Sequence, residues 1–106
     1  MKIIRNNIIP FKGFKAINFF GILFVRGNAI IDENTLNHEE IHSAQMKEML
    51  YVFFYLWYLI EWLIKVVEYK NFYEAYRNIS FEVEAYGSMY NPCYLKNRQP
   101  FNWIRL

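Results

Sequence analysis

Between Gly27 and Gly87 the chain contains neither glycine nor proline. No other feature constrains its fold as strongly. Glycine weakens a helix interior by about 1 kcal/mol and proline by about 3 kcal/mol, so a long interval free of both is where helices belong. Most of the protein is therefore expected to be helical. Asp32 and Asn34 are both good N-cap types for the first helix. A single helix from there to Tyr69 would be roughly 50 Å long at 1.5 Å per residue, too long for one small domain. A reversal must fall inside it, yet no residue marks the place.

Ahead of Gly27 the pattern changes. The stretch "AINFFGILFVRGNAIID" is rich in aromatic and β-branched residues, with Gly21 and Gly27 bounding "ILFVR", and this predicts a strand over Ile22–Arg26. Pro10 and Gly13 break the segment before it, and "KIIRNNII" can supply a short partner strand as a hairpin. The fold class expected is α+β and predominantly helical: one domain over residues 1–106, with a short N-terminal strand or hairpin followed by helices.

The first helix should open near Asp32 or Asn34 and run at least to Leu50, with Glu33, Glu39 and Glu40 early, where the helix dipole favours anions. "YVFFYLWYLIEWLIKVVEY" reads as the second, with Glu61 and Lys65 paired on its exposed side. Asn71 can cap a third helix, and Ser80 a fourth that Gly87 ends. The tail "NPCYLKNRQPFNWIRL" reads as a loop whose Phe101 and Trp103 dock together on the helical body.

The chain is 55% hydrophobic and 21% aromatic, with a net charge of +2 and no basic block, which argues against a nucleic-acid partner. Cys93 is the only cysteine, so no internal disulfide can form; a small buried hydrophobe is the expected role. The first twenty residues lack the uninterrupted apolar core of a secretory signal, so a cytoplasmic location is expected. "MLYVFFYLWYLI" is uncharged but short of the roughly twenty residues that span a bilayer. It is expected to back the functional site as a buried helix. A composition this apolar also suggests a homodimer or attachment to a membrane surface.

Both histidines of the chain lie in "NHEEIHSAQ", as His38 and His42. Four residues turn a helix through about 400°, so the two imidazoles project from one face, one turn apart. At that spacing they can both bind one Zn²⁺, while Glu39, beside His38, is placed to take a proton from a water that the metal polarises. Glu40 is turned a further 100° away. The plain alternative is two polar histidines on a helix face, one bonded to a carboxylate and one solvated.

"NHEEIHSAQ" followed about forty residues later by "FEVEAY" resembles the gluzincin zinc metallopeptidases, in particular small single-domain members near a hundred residues long. The resemblance covers residues 21–90, including "GILFVR", which is similar to the edge strand preceding the metal-binding helix. It implies a zincin-like fold and Glu82 as third zinc ligand, from the E-x-x-A pattern of "EVEA". Glu84, about 200° further round the helix, takes its place if the register differs. The resemblance further implies hydrolysis of peptide bonds with Glu39 as general base and a peptide substrate aligned on the strand Ile22–Arg26 by β-augmentation. The chain departs from the pattern at Tyr86, where many relatives carry an aspartate that orients a histidine, and it has no third histidine. Tyr73, Tyr76, Tyr86, Tyr90 and Arg77 remain as candidate oxyanion donors. A second class of reading is a non-catalytic protein, metal-stabilised or membrane-associated, on a degenerate zincin fold.

Overall fold

The computed structural model describes residues 2–8 and 15–104. The expected breaks at Pro10 and Gly13 lie outside them. The architecture is α+β and predominantly helical: strands β1 (Lys2–Asn6), β2 (Ala16–Phe19) and β3 (Ile22–Arg26), then helices α1 (Glu33–Glu48), α2 (Val52–Tyr69), α3 (Phe72–Arg77), α4 (Ser80–Ser88) and α5 (Tyr94–Asn97), and a 3₁₀ turn, Asn102–Ile104.

The sheet order is β1-β3-β2. β1 pairs parallel to β3, so the expected hairpin between them does not form; the hairpin is β2–β3, antiparallel, with Phe19 opposite Ile22. Its turn uses left-handed backbone at Phe20 and Gly21 (φ +53° and +86°). Asn18 Oδ1 accepts from the Gly21 N–H at 3.0 Å and closes it. Because β3 is paired on both sides, it offers no free edge; among the described strands β1 and β2 are the outer ones.

Helix α1 begins where Asp32 Oδ1 accepts from the Thr35 N–H at 2.7 Å, satisfying one of the orphan donors of the first turn. The reversal falls at Leu50 and Tyr51, both non-glycine residues in left-handed backbone (φ +53° and +60°), and α2 leaves at 110° to α1. Such residues cost energy there; Tyr51 is held by packing, partly buried against the core, whereas Leu50 is exposed. Lys70, also left-handed, ends α2, and Asn71 caps α3 by accepting from the Glu74 N–H at 2.9 Å.

Ser80 does not cap α4; it is the first helical residue, and the cap is supplied across space. Glu61 Oε2 accepts from the Ser80 N–H at 3.0 Å and from its hydroxyl at 2.6 Å. Glu61 thus faces the protein, which overturns its expected pairing with Lys65; Lys65 instead lies 3.6 Å from Glu68. α4 also runs one residue past Gly87, to Ser88. The core joins Met46 of α1, Phe54 of α2, Ile79, Phe81 of α4 and Trp103. The tail is more ordered than a loop, with α5 and the 3₁₀ turn. Trp103 is buried against Trp57 and Phe81, whereas Phe101 stays 40% exposed, so the two rings do not dock equally. Cys93 is exposed rather than buried.

Helix α2 differs most from expectation. Only Phe54 on it is buried, while Val52, Phe53, Leu56, Trp57, Leu59, Ile60, Leu63, Ile64 and Val67 are exposed. One side of the helix does reach the site through Tyr58; on the other, apart from Trp103 against Trp57, the described residues leave the apolar side chains half-exposed or more. No single described helix is long and apolar enough to cross a membrane.

Candidate metal centre

Helices α1 and α4 pack together and face each other across one buried cluster. His38 and His42 lie on the inner face of α1, and Glu82, in the first turn of α4, meets them. His42 Nε2 is 3.0 Å from Glu82 Oε1 and 3.1 Å from His38 Nε2, and His38 Nε2 is 3.3 Å from the same carboxylate oxygen. Three atoms at about 2.0–2.1 Å from a tetrahedral Zn²⁺ stand roughly 3.3–3.4 Å apart, so this triangle is close to the size such an ion spans. Two imidazole nitrogens and one carboxylate oxygen are also donors that zinc accepts, and three protein ligands leave a fourth position open.

The second carboxylate oxygen of Glu82 accepts a 2.6 Å hydrogen bond from the Tyr58 hydroxyl. The helix carrying Glu82 is itself anchored by Glu61, so two residues of α2 aim the candidate ligand. Burial works against the Glu82 charge, but the His42 charge and hydrogen bonds from His38, His42 and Tyr58 outweigh it and hold the carboxyl well below its usual range. Burial pushes His42 down, yet the Glu82 carboxylate more than offsets this, with help from Glu39 and Gln45, and lifts the imidazole to about 9. A cation bound here must displace that proton.

Glu39 lines a cleft of about 370 Å³ together with His38, His42 and Glu82, so all four predicted residues come to one place. Burial raises the Glu39 carboxyl above its ordinary value, against the pull of His42 and His38. Glu40 does not line this cleft. The far wall is apolar and aromatic, from Met46, Phe54, Tyr55, Tyr58 and Tyr76, and one rim is β2, through Ala16, Ile17 and Asn18. Asn18 fastens that rim to α1 by donating to the Glu39 carbonyl at 2.8 Å and to the Ser43 hydroxyl at 3.1 Å. The strand bordering the cleft is therefore β2, and the expectation of a substrate on Ile22–Arg26 is corrected: β3 is internal.

Glu84 is wholly buried but points elsewhere, held by Gln45, Tyr94 and Arg98. Tyr86 takes no bond from a histidine; its ring packs edge-on to His38 with centroids 4.4 Å apart, and its hydroxyl pairs with that of Tyr76 at 2.6 Å. Of the five candidate oxyanion donors, Tyr76 alone lines the cleft. Sequence reasoning missed Tyr58, Asn18 and Gln45. Gln45 had a signal, since it lies one turn after His42 on the same face; Tyr58 and Asn18 had none, because their partners are 24 and 21 residues away. None of the described residues of the tail lines the cleft.

Comparisons with known protein families, with curated proteins and with solved structures find no match to this chain.

Proposed function

We propose that this protein is a zinc-dependent peptidase of gluzincin type, in which His38, His42 and Glu82 hold the ion and Glu39 is the general base. The observation that carries the reading is the triangle of buried ligand atoms, with edges of 3.0, 3.1 and 3.3 Å, opening into a cleft that Glu39 also lines. When bound, zinc supplies a Lewis acid that polarises a carbonyl and lowers the pKa of water to about 7.

The chain's own residues do the rest. Glu39, its proton affinity raised by burial, takes a proton from the attacking water and returns it to the leaving amine. Tyr76, which lines the cleft and whose hydroxyl pairs with that of Tyr86, is the donor for the developing oxyanion. The outer edge of β2, held in register by Asn18, aligns an extended peptide by backbone hydrogen bonds. The apolar wall of Met46, Phe54 and Tyr55 suits an apolar side chain of that peptide.

The alternative, a metal-stabilised or membrane-associated binding protein, draws on the bare outer face of α2. We propose that this face meets a second copy or a membrane surface, a role compatible with either reading. The deciding experiment is zinc stoichiometry of wild type and His42→Ala, followed by peptide hydrolysis by wild type and Glu39→Gln. One zinc per chain, lost in His42→Ala, and hydrolysis by wild type that Glu39→Gln loses while keeping its zinc, is expected. Zinc bound without hydrolysis of a peptide library would favour the binding protein, and no zinc would end both metal readings.

A further inference from the structure

His42 is held from behind by a chain of buried polar groups that ends in the C-terminal segment. Its Nε2 faces Glu82, while Nδ1 donates to Gln45 Oε1 at 2.8 Å. Gln45 is wholly buried. Its Nε2 donates in two directions, to the Phe81 carbonyl at 3.0 Å and to Glu84 Oε1 at 2.9 Å. Rotating the amide by half a turn would set its oxygen against two acceptors, so the amide has one orientation. The Gln45 oxygen therefore always faces His42, keeps a proton on Nδ1, and leaves the Nε2 lone pair for a metal. His38 is different, because its Nδ1 is buried with no hydrogen-bond partner.

Glu84 is fixed in turn. Tyr94 donates to its Oε2 at 2.6 Å, and Arg98 donates from Nε to Oε2 and from Nη2 to Oε1 at 3.1 Å. Arg98 also holds both oxygens of Glu48 on α1, at 2.7 and 3.1 Å, and Glu48 accepts from the Phe101 N–H and the Trp103 indole. The tail thereby ties together the two helices that carry the cluster, behind it and outside the cleft.

We propose that residues 94–103 set the metal affinity of the cluster through the chain Arg98–Glu84–Gln45–His42, with Gln45 as the positioning residue. This rests on the metal reading above. It assigns the C-terminal segment a part in metal binding although none of its residues reaches a ligand.

The test is the zinc dissociation constant, measured by competition with a chromophoric chelator, beside the melting temperature in excess chelator. Gln45→Met keeps the length of the side chain and removes the acceptor and both donors, so affinity should fall about 10- to 100-fold. Arg98→Lys keeps the charge but not the fork, and should cost roughly three- to tenfold. In zinc-loaded wild type the Nδ1 proton of His42, held on Gln45, should be slow to exchange by NMR, and Gln45→Met should speed that exchange, which a packing role for Gln45 would not produce. Gln45→Met or Arg98→Lys binding zinc as tightly as wild type would overturn the inference, as would an unchanged exchange rate in Gln45→Met. Equal zinc affinity in wild type and His42→Ala would instead overturn the metal reading, and the inference with it.

Discussion

Helices α1 and α2 are neighbours in sequence and opposites in burial. α1 buries His38, His42 and Gln45 beside Ile41 and Met46, whereas α2, with only Glu61, Lys65 and Glu68 charged, buries Phe54 alone. Hydropathy would place them the other way round. Polar groups go inside on α1 because each finds partners there: His42 has Glu82 and Gln45, and Gln45 has Phe81 and Glu84. On α2 nine of the exposed apolar positions, all but Tyr69, fall within an arc of about 160° at 100° per residue, and apart from Trp103 against Trp57 the described residues leave that arc bare. Unsatisfied polarity is costly inside a protein, while exposed apolar surface is tolerated when another surface covers it.

The comparison can be broken most sharply through activity. Glu39→Gln on α1 should lower peptide hydrolysis about 10²- to 10⁴-fold while zinc content stays at one per chain. Ile60→Ser on α2 should leave the rate unchanged, and a fall of similar size in both would deny the division of labour. Stability comes next. Trp103 is buried against α2 and α4 and bonded to Glu48, so Trp103→Ala should cost about 3–5 kcal/mol in urea unfolding. Phe101→Ala, at a ring 40% exposed, should cost clearly less.

The buried cluster should also make stability depend on pH. In excess chelator, His42 is raised to about 9 in the folded chain against about 6.5 unfolded, so its contribution is complete below pH ~6.5 and is lost as pH rises through 9. Urea midpoints should fall across that window and flatten in His42→Ala. Saturating zinc, which replaces the proton, should flatten them as well. The smallest effect belongs to α2: Leu56→Ser and Ile64→Ser, at exposed positions, should shift the stability of the isolated chain by no more than about 0.5 kcal/mol. The same substitutions should abolish self-association in sedimentation or binding to lipid vesicles, whichever the wild type displays. A large loss of stability in dilute solution would mean that the face is packed after all.

What could be read from the sequence is what neighbours along the chain decide. The interval without glycine or proline made helices, Asp32 and Asn71 capped two of them, the four-residue spacing set His38 and His42 on one face, and "ILFVR" formed a strand. Each of these depends on contacts within about one helical turn or on backbone preference. The rest was decided by groups far apart. Glu82 rather than Glu84 meets the histidines because Arg98 and Tyr94 claim Glu84, and nothing in "FEVEAY" foretells either partner. The reversal at Leu50 and Tyr51 carries no turn residue, and the packing of Tyr51 on the core rather than local preference holds it. Glu61 caps a helix 19 residues on, and β2 rather than β3 borders the cleft because β1 occupies the other side of β3. Such choices compare the energies of whole arrangements, in which a side chain gains from a partner only once the chain has folded to bring it there, and that comparison is made in tertiary structure alone.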